Sequence, residues 1–337
     1  MEISDGIQNL IENSQNIVIT THFKPDGDAL GSSLALYHYL NQLQKKASVV
    51  VPSDYPNYLN WLPGNEHVIN YLEQKELSQE LIQAADLIIC LDFNALSRTQ
   101  DLEGLLEETT CPKLMMDHHL LPSNFDQFRV WDASAAATCQ IVYRFISGIM
   151  GHHHLINKDI ATCLYTGIMT DTGSFRFSST TKEVHEIIAD LIDIGAENWK
   201  IHEHIYNSNS EKRLKFLGYC LAEKLKVIEE YKTAYFTVTQ EELDQFQVET
   251  GETEGLVNYA LSIKGIQLAA LIIDRGQIIK LSFRSIGKFP CNELSMKHFN
   301  GGGHRNAAGG NSHEKLEDVV SKFESILPEY KEELLNN

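Results

Sequence analysis

The first two hundred positions alternate short apolar runs with stretches of helical period. Residues 16–21 (NIVITT) are rich in β-branched side chains and predict a strand. Residues 28–43 follow with Leu30, Leu34, Leu36, Tyr37, Leu40 and Leu43 at roughly helical spacing. Residues 48–51 predict the next strand. Two further runs, 87–92 (LIICLD) and 113–117 (KLMMD), are continuously apolar and end in aspartate. That pattern suits parallel strands buried on both faces. Helices are predicted over 133–147, 158–169 and 182–194, and the alternation argues for an α/β sheet.

The character changes after about Asn207. Residues 210–229 read as one long, highly charged helix. Strand patterns follow at 233–239, 266–274 and 277–284, the last two joined at Arg275-Gly276 as a hairpin. Helical patterns at 253–262 and 315–326 flank them. The predicted organisation is an N-terminal parallel-sheet domain over 1–206, a helical linker over 207–229 and a smaller α+β domain over 230–337.

Composition narrows the class. The chain of 337 residues is 43% hydrophobic, enough for buried cores. Its formal net charge of −18 argues against a protein held on long nucleic acid by a basic surface, but leaves room for an acidic metal enzyme. No apolar run reaches membrane-spanning length, and the acidic start lacks the basic and apolar stretches of a secretory signal. Six scattered cysteines without a CxxC pair read as reduced core residues, so a cytoplasmic location is expected.

Four segments carry candidate chemistry. His22, Asp26 and Asp28 lie in a Pro- and Gly-containing turn after the first strand. Asp26 could equally serve the turn and Asp28 cap the next helix. Asp92 ends the LIICLD run, and Asp117-His118-His119 ends the KLMMD run. Asp171 lies where a helical segment breaks into a Gly-containing loop. Strand ends of a doubly wound sheet open onto its ligand crevice, so these groups recur where such a fold builds a site. Carboxylates converging there without cations would repel and raise their own pKa values. Two divalent cations remove that penalty and can act together on a water and a phosphoryl centre. This pattern points to a two-metal phosphohydrolase. The tract His152-His153-His154 lies between helical segments, and reads as a solvated loop rather than a metal site.

Near the C-terminus, Gly301-Gly302-Gly303-His304-Arg305 exceeds what a helix cap needs and favours contact between backbone N–H groups and an anion. Ala307 and Ala308 leave room for a helix or ligand to pack close. Arg284, at a strand end, is a candidate phosphate fork and equally a candidate surface arginine.

The ordered set resembles the DHH phosphoesterase superfamily, in the branch with a C-terminal DHH-associated domain. His22-Phe-Lys-Pro-Asp26-Gly-Asp28, Asp92, Asp117-His118-His119 and Asp171 within TDTGSF resemble its four N-terminal motifs; Gly301-Gly302-Gly303-His304 with Ala307 and Gly309 resembles its GGGHxxAxG signature. The resemblance implies two metal ions, manganese by family habit. One would be held by His22, Asp26 and Asp92, the other by Asp28, Asp92, His118 and Asp171, with Asp92 bridging. Asp117 would orient a histidine, and His119 would face the substrate phosphate as a catalytic donor. Arg284, Gly301, Gly302, Gly303, His304 and Asn258 would bind the nucleotide.

Within the superfamily, the chain most resembles the nanoRNase/pAp-phosphatase group. That implies short RNA oligonucleotides, linear dinucleotides such as pApA, or pAp as substrates, with no long duplex and no membrane partner; it leaves room for a homodimer. The alternatives are a cyclic di-AMP phosphodiesterase, a pyrophosphatase or exopolyphosphatase, and a non-catalytic nucleotide sensor.

Overall fold

The computed structural model describes residues 2–336, with side chains from Gly6 onward. The chain divides into two units, Met1–Ser208 and Asn209–Asn337.

In the first unit the apolar runs pair as six parallel strands: β1 (Asn16–Thr20), β2 (Lys46–Val51), β3 (Val68–Asn70), β4 (Leu87–Leu91), β5 (Lys113–Asp117) and β6 (Phe128–Trp131). Their order across the sheet is β3-β2-β1-β4-β5-β6. The chain therefore builds outward from β1 in one direction, then outward from β4 in the other. The switch in direction falls between β1 and β4, where a doubly wound sheet opens its crevice. The continuous apolar runs follow from burial on both faces. Ile17, Ile19, Leu87 and Ile89 join one core, and the alternating Val18, Ile88 and Cys90 join the other.

The helix Gly27–Gln42 packs on this sheet, and the helix Lys158–Asp171 packs closely against that helix. Gly167 permits the approach: a Cβ there would collide with Cys139 Sγ and stand 2.8 Å from Asp28 Oδ1. No larger residue allows Asp28 and the end of the second helix to come this near.

The second unit carries a mixed sheet of order β11-β12-β10-β9-β8-β7. Its strands are β7 (Leu225–Ile228), β8 (Thr233–Val238), β9 (Leu268–Asp274), β10 (Ile279–Ser285), β11 (Gly302–His304) and β12 (Ala307–Ser312). Alternating residues of β8 and β9 again serve two cores, Tyr235, Leu268 and Ala270 on one face, Phe236, Ala269 and Leu271 on the other.

Several elements differ from the sequence expectation. The charged stretch 210–229 is helical over Glu211–Tyr219, passes through a π-turn at Cys220–Lys224, and then enters the sheet as β7. Its second half is therefore not a helical linker. Val227 pairs with Ala234, and this edge pairing outweighs the helical periodicity. The helix expected over 133–147 begins at Thr138, because Ala137 is extended (φ −165°, ψ 153°) and turns the chain into the first helical turn. β3, β6 and β11 are too short to leave a periodic signal. The Gly301–Gly303 segment is no loose loop: it enters β11, which forms a hairpin with β12, so Ala307 and Ala308 lie in a strand, and the helix Cys291–His298 packs against it.

The six cysteines are free, five of them buried. Among the described residues no helix is long and apolar enough to cross a membrane.

Candidate metal centre

β1, β4 and β5 are adjacent in the sheet, and each delivers its candidate residues at its carboxyl end. His22 follows β1, Asp92 follows β4, and Asp117 closes β5 ahead of His118 and His119. Asp92 has φ 65°, a left-handed conformation that aspartate tolerates better than most residues. It turns the chain out of the strand at the site itself.

Asp26 is the N-cap of the helix Gly27–Gln42: its Oδ1 accepts from Asp28 N at 3.0 Å and Ala29 N at 3.1 Å. The capping residue is thus Asp26, not Asp28, and a carboxylate oxygen of Asp26 also belongs to the cluster. Asp28 instead receives the start of another helix, Thr138–Arg144. Its Oδ2 accepts from Thr138 N at 2.6 Å and its Oδ1 from Cys139 N at 2.8 Å. Asp171 is the last residue of the helix Lys158–Asp171.

These side chains converge. One ligand atom each from His22, Asp26 and Asp92 lie within 4.8 Å of one another; the same holds for Asp28, Asp92 and His118, and for Asp92, Asp117 and His119. Asp92 belongs to all three groups. Its Oδ2 is 3.5 Å from His22 Nε2, and its Oδ1 is 3.5 Å from His118 Nε2. Asp171 joins through His118, whose Nε2 lies 3.3 Å from Asp171 Oδ2. The Nδ1 atoms of His22 and His118 are engaged by the carbonyls of Phe23 and Ala135, so both rings aim Nε2 inward. His119 Nδ1 donates to Asp117 Oδ1 at 2.7 Å.

The electrostatics describe a cluster that calls for cations. Burial, then the charge of Asp92, push Asp28 up to about 7 despite the nearby His118. Burial also drives Asp171 well above the carboxylate range, with His118 opposing and Asp28 adding to the rise. Burial works against a charge on Asp92, yet hydrogen bonds from His118 and His22 hold it well below that range. Burial lowers both histidines, but the bond to Asp92 and the charges of the surrounding carboxylates together outweigh it, so His22 is raised and His118 raised well above its ordinary value. These directions favour protons on the imidazoles, which add positive charge, and on the Asp28 and Asp171 carboxyls, which removes negative charge. A buried set of carboxylates and imidazole Nε2 atoms is the donor chemistry that divalent cations of the Mn, Zn or Fe type take. The residues present therefore fit such cations.

Thr138 was not singled out by the sequence reading. Its hydroxyl donates to Asp92 Oδ1 at 2.9 Å while its N–H holds Asp28. The signal was present as a threonine after the small run Ala135-Ala136-Ala137, which lets a helix start close beneath the cluster. The tract at 152–154 lies apart from all three groups. His152 Nδ1 pairs with the Tyr39 hydroxyl at 2.8 Å and His153 Nε2 with Asp190 at 2.8 Å, while His153 and His154 stay exposed, as a solvated loop does.

In the second unit, Arg284 on β10 and His304 on β11 are both registered opposite Ala307 of the intervening β12. Directly opposed residues share a face of the sheet, so the arginine and the histidine flank a small residue on one face. Asn258 lies on the helix Leu256–Leu261, which packs against the same sheet.

The motif "DHH family, N-terminal domain" matches residues 16–168, and "DHHA1 domain" matches residues 230–329. A Thermus thermophilus protein named bifunctional oligoribonuclease and PAP phosphatase NrnA is 30% identical over 320 residues, 94% of this chain and 90% of its own. The chain belongs to the DHH family. A Bacillus subtilis protein of the same name is 23% identical over 93% of this chain and 95% of its own. Among solved structures, an exopolyphosphatase-related protein from Bacteroides fragilis aligns at TM-score 0.93 and 40% identity, covering 99% of this chain and 97% of that one. The DHH match ends at residue 168, so Asp171 joins the cluster from just beyond it.

Proposed function

We propose that this DHH-family chain is a phosphohydrolase of short nucleotides. It degrades short oligoribonucleotides or linear dinucleotides such as pApA to mononucleotides, and removes the 3′-phosphate of pAp. The observation that carries the reading is Asp92, shared by three ligand groups at the switch point of the sheet. The names borne by the Thermus and Bacillus relatives support the substrate class.

Two divalent cations, manganese by family habit, would be held by His22, Asp26 and Asp92, and by Asp28, Asp92, His118 and Asp171. When bound they supply Lewis-acid polarisation of phosphoryl oxygens and a water of lowered pKa. The chain's own residues do the rest. Thr138 fixes the Asp92 carboxylate through Oδ1 and anchors Asp28 through its backbone N–H, so both are held before substrate arrives. Asp117 orients the His119 ring. In its imidazolium form that ring presents a second N–H at Nε2, which donates to a phosphoryl oxygen as negative charge develops there. Arg284 and His304, with the backbone N–H groups of Gly301, Gly302 and Gly303 and the Asn258 amide, bind the nucleotide's terminal phosphate and base end.

An activity panel in Mn²⁺ with pAp, pApA, cyclic di-AMP, 5-mer and 24-mer RNA and inorganic pyrophosphate tests this. The expected result is turnover of pAp or pApA, with 2- to 5-mers far ahead of the 24-mer. Preference for pyrophosphate would replace the reading with the polyphosphate-directed one that the Bacteroides protein's description raises. Tight binding of cyclic di-AMP without hydrolysis of any substrate would replace it with a sensor.

A further inference from the structure

Acidic residues dominate the metal centre, so the nearest cations reveal what else it was built to hold. Four arginines lie in the first unit. Arg129 is paired with Asp126, Arg144 with Asp132 and Glu183, and Arg176 donates to the Gly173 carbonyl. Lys24, two residues after His22, is paired with Asp54 at 2.5 Å. Arg98 is different. It is exposed, and among the described residues its guanidinium makes no hydrogen bond or ion pair.

The backbone places Arg98 at the centre's edge. It sits in the 3-10 helix Leu96–Leu102, which begins four residues after Asp92. Its carbonyl accepts from Phe23 N at 2.8 Å, which ties it to the residue beside His22, and its own N–H donates to Ala95 O at 3.0 Å. Among the described residues no carboxylate of the centre takes up its planar donor fork.

We propose that Arg98 is a substrate-binding residue whose guanidinium holds a phosphoryl oxygen of the substrate at the His22 edge of the site. The inference deepens the proposed phosphohydrolase reading and rests on it. A guanidinium offers two parallel N–H donors matched to phosphate, and a cation beside the reacting group strengthens as negative charge accumulates on it. Arg98 thus adds a phosphate contact to that of His119 in the first unit, separate from Arg284 on β10.

The test compares wild type, Arg98→Ala and Arg98→Lys on pAp and pApA in Mn²⁺. It adds inhibition by inorganic phosphate, Mn²⁺ affinity by calorimetry, and Tm. Arg98→Ala is expected to lower kcat/KM by about tenfold to a hundredfold and to weaken phosphate inhibition, with Mn²⁺ affinity and Tm unchanged. Arg98→Lys should recover part of the loss, since it keeps the charge without the fork. Wild-type kcat/KM and phosphate inhibition in Arg98→Ala would overturn the proposal. A loss matched by weaker Mn²⁺ binding would also overturn it, because Arg98 would then act through His22. Every substrate on the activity panel carries a phosphoryl group. If wild type turns over a different one, the same comparison runs on that substrate, so failure of the pAp reading is distinguishable from failure of the Arg98 contact.

Discussion

His119 and Asp117 form a directed pair: Nδ1 donates to Oδ1 at 2.7 Å, while the second oxygen, Asp117 Oδ2, is fully buried and accepts no hydrogen bond among the described residues. A buried carboxylate with one spare oxygen holds the imidazole by charge as well as by geometry. Asp117→Asn keeps an accepting oxygen in place and removes the charge. It should lower kcat by about tenfold to a hundredfold, the usual cost of losing such a supporting carboxylate, and change KM less. Steady-state kinetics with a matched thermal melt checks this; an unchanged kcat would remove Asp117 from the machinery.

Asp92 is the residue on which the proposed metal arrangement depends most, since all three ligand groups within the first unit include it. Asparagine is the informative replacement, because it tolerates the left-handed backbone at φ 65° and fills the same volume. Asp92→Asn should leave the fold intact and reduce turnover by about a thousandfold or more, with fewer than two Mn²⁺ bound per chain by calorimetry. Substantial Mn²⁺-dependent activity in this variant would sink the bridging assignment.

The pKa directions fix a pH dependence for metal-free protein. Asp28, at about 7 in the fold against an ordinary 3.8, keeps its proton in the native state while the unfolded chain gives it up. Stability on this account falls as pH rises from about 4 to 7. His22 and His118, both raised, contribute stability at low pH that is lost as pH passes their folded values, which is the same direction. Asp92, held low, matters only under more acidic conditions. The chelator-treated protein should therefore have a higher Tm at pH 5.5 than at pH 7.5, by an amount on the order of a few kcal/mol in stability. Mn²⁺ should reverse the trend, because it replaces the protons. A metal-free Tm that rises over this interval would contradict the electrostatic reading.

Much of this was legible in the chain, because the decisive features are local. A continuous apolar run ending in aspartate states both that a strand is buried and where it stops, so the ends of β4 and β5 could be placed from Leu87–Leu91 and Lys113–Asp117 alone. Asp171 was legible for the same reason, as the end of a helical pattern. What was not legible depends on partners distant in sequence. Leu225–Ile228 looks like the continuation of a charged helix until Thr233–Val238 is there to pair with it. Thr138 becomes part of the centre only when the close helix approach brings Asp28 beneath its N–H. Arg98 carries no pattern of its own, and its place comes from one backbone hydrogen bond to Phe23.

The glycine cluster shows how structure separates residues that look equivalent in sequence. A Cβ at Gly301 would collide with the Gly309 carbonyl and Ser295 Oγ. Gly303 has φ 135°, and a Cβ there would meet Ala307 O at 2.6 Å. Packing of the β11–β12 hairpin is therefore sufficient reason for both. Gly302 has no such reason: its nearest neighbour would be Met296 Cγ at 3.8 Å, an ordinary contact. Gly301→Ala should destabilise by about 1–3 kcal/mol or more, as overpacking does, and lower Tm. Gly302→Ala should leave Tm unchanged or slightly higher, because alanine loses less chain entropy on folding at a compatible backbone position. If the backbone at 302 approaches the nucleotide's phosphate, that same variant will raise KM severalfold at nearly constant kcat. Wild-type KM in a fully folded Gly302→Ala protein would reduce the cluster to a hairpin motif and leave nucleotide binding to Arg284 and His304.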